Sequence, residues 1–404
     1  MKLTILTQYY PPEVGAPQAR LSELASHFVR RGHDVVVLTA MPNYPTGCIH
    51  DGYGGLFLRE WSAGVDVLRT FIYPTQKAEF THRLANYFSF VLSSSICGSF
   101  ALRRSDYLLV ESPPLFLGLA GFWLSRLKRA KLIFNVSDLW PESPASMGLL
   151  DRNSAAFRIS ARLEAFCYRH AWLITGQSKT IVADIVRRYP QLRTFHLSNG
   201  VDSERFGPNR FNQEARAELS NHGDFVAVYA GLHGLAQGLG QVLEVARLLK
   251  DQEGFRFVFV GDGPQKRMLQ ERAKDQRLAH VRFFDPRPAS EMPALVAAAD
   301  AILVTLKGQI PGAVPSKLYE AMASGCPVVL AAEGEAAEIV EQYEAGIVVK
   351  PGDTNALAEA LLRLRADPEL CLQMGKNGRE AVRLHFDRSL IASKFINHLE
   401  TNLN

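Results

Sequence analysis

The sequence predicts an α/β chain built from two doubly wound, mostly parallel sheets, and three observations point to it. The 404 residues are 47% hydrophobic and 21% charged, which is enough for two domains with their own cores and too apolar for a disordered chain. Short apolar runs alternate with stretches of helical periodicity, as parallel strands and their covering helices do. The alternation breaks at Leu197–Phe211 (LSNGVDSERFGPNRF), where Asn-Gly and Gly-Pro punctuate the chain, and then restarts. The expected organisation is residues 1–198, a linker at 199–211, a second domain at 212–384, and a closing helix at 385–404 that crosses back to the first domain.

In the first half, strands are expected at Lys2–Thr7, Asp34–Thr39, Val65–Thr70, Tyr107–Glu111, Leu132–Asn135, Trp172–Gly176 and Thr194–Leu197. Helices are expected at Pro17–Arg31, Leu84–Leu102, Leu115–Arg129, Ser154–His170 and Ser178–Arg188. Met41–Gly55 (MPNYPTGCIHDGYGG) is rich in Pro, Gly and Tyr and reads as a long functional loop. The second half repeats the pattern, with strands at Phe225–Ala230, Arg256–Val260, Val281–Phe284, Ala301–Thr305, Val328–Ala331 and Ile347–Val349. Helices lie between them, and two more close the chain. Both halves are thus Rossmann-like. Such sheets bind ligands at the C-terminal ends of their strands, and two of them facing across a cleft would form one site.

Charge is divided unevenly. Residues 1–200 hold 22 Lys and Arg against 14 Asp and Glu, and residues 201–404 hold 23 against 27. Opposite signs suggest different partners for the two halves. The cysteines Cys48, Cys97, Cys167, Cys326 and Cys371 are odd in number, scattered and never in C-x-x-C, which suits a reducing compartment and no disulfide or zinc framework. Met1-Lys2 runs straight into a strand-like segment, so no signal peptide is expected. Leu84–Leu102 is uncharged and near the ~20 residues a span requires, but Asn86, five serines and Gly98 moderate it. Arg103-Arg104 follow it, and Arg126, Lys128, Arg129 and Lys131 follow the shorter apolar segment Leu115–Leu124. Apolar helices with basic ends suit a monotopic contact with anionic lipid; the alternative is a pair of layer helices with solvated ends.

The strongest chemical motif is Pro311–Val329, PGAVPSKLYEAMASGCPVV. Gly312 and Pro315 shape a loop, and Ser316 is placed to cap the helix that follows. A helix N-terminus binds phosphate through unpaired N–H groups and its dipole. Lys317 would add charge against a diphosphate. Glu320, one turn on, does not attract phosphate but suits the vicinal hydroxyls of a ribose. Gly261 and Gly263, in VGDGP after a strand, let backbone approach an anionic ligand. Gly15, in YYPPEVGA, belongs to a similar loop near the start of the chain. Asp138, in FNVSDLWPES, falls just past a strand end and could take a proton from a substrate hydroxyl. His233, in YAGLHGLAQGLG, could meet an anion. There is no G-x-G-x-x-G, no P-loop, no D-x-D and no H-E-x-x-H, so neither a classical dinucleotide site nor a metal is expected.

These residues resemble the retaining glycosyltransferases of the "glycosyltransferases group 1" family, and in particular its WbuB-type O-antigen and capsule branch. The carriers are TQYYPPEVGAPQAR, the PNYPTG loop, SDLWPES, LSNGVDSERF and PSKLYEAMASGCPVV. The resemblance implies a GT-B fold, an N-terminal acceptor side and a C-terminal nucleotide-sugar side, with Glu320 on the ribose and the Gly15 loop near the diphosphate. It also implies three departures. Gly312 stands where the family often has a glutamate contacting the donor sugar. His233 and Gln237 stand in the loop where Arg and Lys often hold the diphosphate. Ser137-Asp138 stand where many members have a histidine.

The implied function is transfer of an N-acetylated or 6-deoxy hexose, with UDP as carrier, to a polyprenyl-diphosphate-linked saccharide in O-antigen, capsule or exopolysaccharide (lipopolysaccharide-type) synthesis. The implied location is cytoplasmic, peripheral on the anionic inner membrane. No cofactor, essential metal or nucleic acid is expected. A nucleotide-sugar epimerase and a non-catalytic two-lobed binding protein are the alternatives.

Overall fold

The computed structural model describes residues 1–76, 79–220 and 223–403. The chain divides into two compact units, Met1–Asn199 with Arg388–Asn404, and Gly200–Asp387; Asn404, the end of the expected closing helix, lies outside the described residues.

The first unit contains β1 (Lys2–Leu6), α1 (Ala16–Arg30), β2 (Asp34–Ala40), β3 (Phe57–Ser62), β4 (Val65–Thr70), α2 (Phe80–Ala101) and β5 (Tyr107–Ser112). It continues with α3 (Leu117–Lys128), β6 (Lys131–Val136), α4 (Glu142–Ser146), α5 (Ala155–His170), β7 (Leu173–Gly176), α6 (Lys179–Arg188) and β8 (Thr194–His196). Among the described residues these strands form one eight-stranded sheet in the order β3-β4-β2-β1-β5-β6-β7-β8. All pairs are parallel except β3 with β4.

Alternation along each strand feeds two helical layers. Leu3 and Ile5 of β1 pack with Leu21 and Phe28 of α1. Leu6 packs on the other face with Phe90 of α2 and Leu124 of α3. Ser154 and Ser178 accept hydrogen bonds from Phe157 and Ile181 and so start α5 and α6.

The second unit contains α7 (Gln213–Leu219), β9 (Phe225–Ala230), α8 (Gly240–Leu248), β10 (Phe255–Val260), α9 (Lys266–Asp275), β11 (Val281–Phe284), α10 (Met292–Ala297) and β12 (Ala301–Thr305). Then come α11 (Ser316–Ala323), β13 (Val328–Ala331), α12 (Glu335–Gln342), β14 (Gly346–Val349), α13 (Thr354–Ala366) and α14 (Pro368–Ala381). Its parallel sheet runs β11-β10-β9-β12-β13-β14. Val226, Val228 and Ala230 face one layer, Ala227 and Tyr229 the other.

The stretch expected to be a linker is packed into this unit. Val201 N–H donates to the Phe386 carbonyl at 2.9 Å. Phe206 is buried, and Arg379 Nη1 donates to the carbonyls of Ser203 and Phe206 at 2.8 and 2.7 Å. The final helix, α15 (Arg388–Thr401), belongs to the first unit. There Phe395 and Ile396 are buried beside Phe28, and Arg388 pairs with Glu23 at 2.8 Å.

Candidate active site

In the second unit the strand ends of β9 and β10 and the start of α11 gather the motifs expected to meet phosphate. Gly261 has φ +137, and a Cβ on it would lie 2.1 Å from the Gly231 carbonyl oxygen. Gly263 has φ +151, and a Cβ there would lie 2.6 Å from the His233 carbonyl oxygen. The two loops therefore pack backbone against backbone, and only glycine allows it.

Pro315, not Ser316, is the N-cap of α11, and no side chain caps that end. The expected Ser316 cap is corrected: Pro315 fixes the extended entry, and the serine is already the first helical residue. The consequence favours a ligand, because the first N–H groups lack a side-chain acceptor. Gly312, at φ +74, turns the preceding loop.

Lys317 sits in the first turn, half-buried. Its Nζ donates to Tyr229 Oη at 2.8 Å and lies 4.2 Å from that ring's centroid. Burial brings the ammonium down to about 8, and Glu320, one turn on, opposes that shift. A Cβ on Gly231 would come within 2.9 Å of Nζ, so that glycine keeps the lysine's space open. His233 is fully enclosed by Tyr229, Phe259 and Phe283. Burial, then Lys266, hold its imidazole down to about 4. It is neutral at pH 7, and neither ring nitrogen has a partner among the described residues. What it offers at the Gly263 loop is backbone, not charge.

In the first unit, Asp138 follows β6 and is half-buried. Desolvation first, then Glu111, raise its carboxyl to about 6. The helix nearest in sequence, α4, starts at Glu142 with Pro141 as N-cap, so Asp138 is not its cap. Beside it lies a network at the ends of β5, β6 and β7. Arg20 Nη2 donates to Glu111 Oε1 at 2.7 Å, Asn135 Nδ2 donates to Glu111 Oε2 at 2.6 Å, and Ser137 bonds both Glu111 and Gln177.

Gly15 is the N-cap of α1 in extended conformation. Its loop is held by buried Glu13, whose carboxylate accepts from the N–H groups of Asn43 and Tyr44 at 2.8 Å each and of Tyr10 at 3.1 Å. Glu13 thereby ties the Gly15 loop to Met41–Gly55. Arg69, 1% exposed, donates to the carbonyls of Pro11 and Ala40 and braces the same two loops.

Sequence reasoning passed over Tyr229, Gly231, Arg20, Glu111 and Glu13. Glu111 had a usable signal, an acid at the end of an apolar strand, as at Asp138. Among the described residues no group of three or more His, Cys, Asp or Glu could hold a metal ion.

The pattern of the family described as Glycosyl transferase 4-like domain matches residues 15–200, and that of Glycosyl transferases group 1 matches residues 211–381. An Escherichia coli (strain K12) protein named as the colanic acid biosynthesis glycosyl transferase WcaI is 26% identical over 99% of this chain and 100% of its own. A GDP-mannose-dependent alpha-(1-6)-phosphatidylinositol monomannoside mannosyltransferase of Mycolicibacterium smegmatis is 29% identical over 68% of this chain and 79% of its own. Among solved structures, sucrose-phosphate synthase from Thermosynechococcus elongatus superposes with TM-score 0.80 at 19% identity, covering 100% of this chain and 98% of that one. Anabaena HepE in complex with UDP and glucose gives 0.74 at 19% identity, over 99% and 100%.

Proposed function

We propose a specific reaction for this chain, which belongs to the group 1 glycosyltransferases and has the GT-B fold. It transfers a hexose, N-acetylated or 6-deoxy, from its UDP carrier to a polyprenyl-diphosphate-linked saccharide. The transfer retains configuration and serves cell-surface polysaccharide synthesis on the cytoplasmic side of the membrane. The colanic acid relative supports the pathway class, and the HepE complex supports UDP as carrier; the GDP-mannose relative makes GDP sugars the control.

One observation carries this reading: the uncapped N-terminus of α11 bears Lys317, with Glu320 one turn further on. The helix dipole and Lys317 stabilise the departing diphosphate, the charge that grows in the transition state. Glu320 accepts from the ribose hydroxyls. The loop glycines Gly261 and Gly263 let the two strand-end loops pack backbone to backbone beside the nucleotide. Gly312 and Pro315 shape the loop in front of the sugar, where Gly312 adds no side chain. In the first unit, Asp138 is the group assigned to the acceptor hydroxyl, and the α1 N-terminus behind Gly15 offers N–H donors to an anion. The bond from the anomeric carbon to the diphosphate breaks, and the acceptor oxygen bonds that carbon on the same face. The hydroxyl proton passes to the leaving phosphate. Dipole and lysine supply the positive charge, so no resident metal is required.

The test is a panel of UDP and GDP sugars incubated with lipid-linked saccharides, read by mass spectrometry of product and released nucleotide. UDP release with acceptor extension is expected, unchanged by EDTA. Lys317→Ala is expected to lower turnover about 10²–10³-fold. Near-normal turnover in that variant, or an isomerised donor with no nucleotide released, overturns the reading.

A further inference from the structure

The first unit carries a face that its own fold leaves uncovered. On α2, Phe88, Leu92, Ile96 and Phe100 recur every fourth residue and are exposed, Phe100 by 87%. On α3, Leu119, Trp123 and Leu127 repeat that spacing, and Trp123 is 56% exposed. The two rows are neighbours. Trp123 Nε1 donates to Ser99 Oγ at 3.0 Å, Lys128 Nζ donates to the Ser99 carbonyl at 2.6 Å, and the Phe88 and Phe116 rings lie 4.7 Å apart. Exposed apolar surface of this extent marks a binding face.

The polar content of the face selects its partner. Neither α2 nor α3 contains an acidic residue. Arg103 and Arg104 past the end of α2, and Arg126 and Arg129 at the end of α3, are all exposed. At the end of α3 opens a cavity of about 430 Å³ lined by Arg126, Arg129, Lys131, His170 and Trp172. It adjoins the start of β6, whereas Asp138 follows the end of that strand, so it is separate from the candidate active site. Aliphatic and aromatic side chains ending in arginines around a basic cavity match acyl chains topped by phosphate headgroups.

The segment Thr81–Ala101 is long and apolar enough to cross a bilayer, but the protein holds one side of it. Asn86 bonds Gln8 and the Tyr73 carbonyl, Ser94 is fully buried, and Gly98 lies against Leu38 and Leu124. A helix so engaged can lie in the interface plane but cannot be surrounded by lipid.

We propose that the α2–α3 face docks this protein flat on a bilayer containing anionic phospholipid. The proposal does not rest on the transferase reading, because vesicles with no saccharide acceptor suffice to test it. Full-length protein is sedimented with vesicles of phosphatidylcholine alone and with vesicles containing one-third phosphatidylglycerol. Binding to the anionic vesicles is expected to be at least about tenfold tighter and to fall at high salt. A blue shift of tryptophan emission should accompany it and be largely lost in Trp123→Phe. Combined Arg103→Glu, Arg104→Glu, Arg126→Glu and Arg129→Glu is expected to weaken binding at least about tenfold with an unchanged melting profile. Should that variant misfold, the wild-type salt dependence and the Trp123→Phe emission decide alone. Equal binding to neutral vesicles, binding indifferent to salt, no binding, or resistance to alkaline carbonate extraction from cell membranes overturns the proposal.

Discussion

Lys317 rests on a neutral partner while burial holds it near its titration point. Its ammonium rests on Tyr229, and burial lowers it to about 8. A bound diphosphate would favour the charged form and raise that value. Binding then takes up a proton around and above pH 8, so UDP affinity should fall as pH rises through about 8, by up to tenfold per unit. Calorimetric titrations in buffers of different ionisation enthalpy measure that uptake directly, and Lys317→Arg should abolish it. Asp138 shows the opposite arrangement. Its folded value of about 6 lies above the ordinary carboxylate range. Its contribution to stability is therefore present below that ordinary range and lost as pH rises through about 6. Asp138→Asn should stabilise the protein at neutral pH by about 1–2 kcal/mol, a discounted figure because the group is half-buried, while lowering turnover. Urea denaturation at neutral and at acid pH checks the sign: the gain should shrink on acidification. At this scale Lys317 and Asp138 were legible because each sits at a recognisable element end. Tyr229 and Gly231 were not, because a strand-end tyrosine and one more loop glycine carry no mark of the lysine that lies on them.

The parallel strands of both sheets were readable to within about two residues, because strands covered on both faces are nearly continuous apolar runs. Three elements escaped. β3, FLREWS, is an antiparallel edge strand, mostly exposed and partly held by the Arg59–Asp66 pair. α4 is five residues with a proline inside it, and α7 is a short polar helix. None has the periodicity that tertiary burial imposes. Loop architecture was equally hidden. Met41–Gly55 reads as a long loop, but its anchor, Glu13, lies some thirty residues earlier. Glu13→Ala leaves three backbone N–H groups without their acceptor and should cost about 2–4 kcal/mol. Faster cleavage within residues 41–55 under limited proteolysis would register the freed loop; an unchanged cleavage rate would mean that Arg69 alone suffices. Gly261→Ala should be comparably harmful to the second unit, since its Cβ meets the Gly231 carbonyl at a left-handed φ. Thermal melting with and without UDP would separate lost stability from lost binding.

At the scale of the whole chain, the sequence showed a basic half and an acidic half, and the structure gives part of that asymmetry a local cause. Arg126 and Arg129 at the end of α3, with Lys131 at the start of β6, line one cavity of the first unit rather than spreading over it. The chain also does not partition at a single point, because the first unit is completed by residues that follow the second. Ala392, Phe395, Ile396 and Leu399 of α15 are at most 1% exposed within the core of the first unit, and Tyr107 Oη donates to the Leu399 carbonyl at 2.7 Å. Burial of three such large side chains contributes roughly 1.5–3 kcal/mol each. Their sum is comparable to the roughly 5–15 kcal/mol that holds a whole domain together. A chain ending at Asp387 should therefore lose the cooperative unfolding of its first unit. The second unit draws on none of these side chains for its two core clusters, so it should keep its own transition. Calorimetry of the truncated and full chains tests both halves of the argument: one transition should vanish, and the survivor should still shift upward with UDP, as mass action requires of a ligand bound only to the folded form. Loss of both transitions would show instead that the second unit depends on the first for its stability.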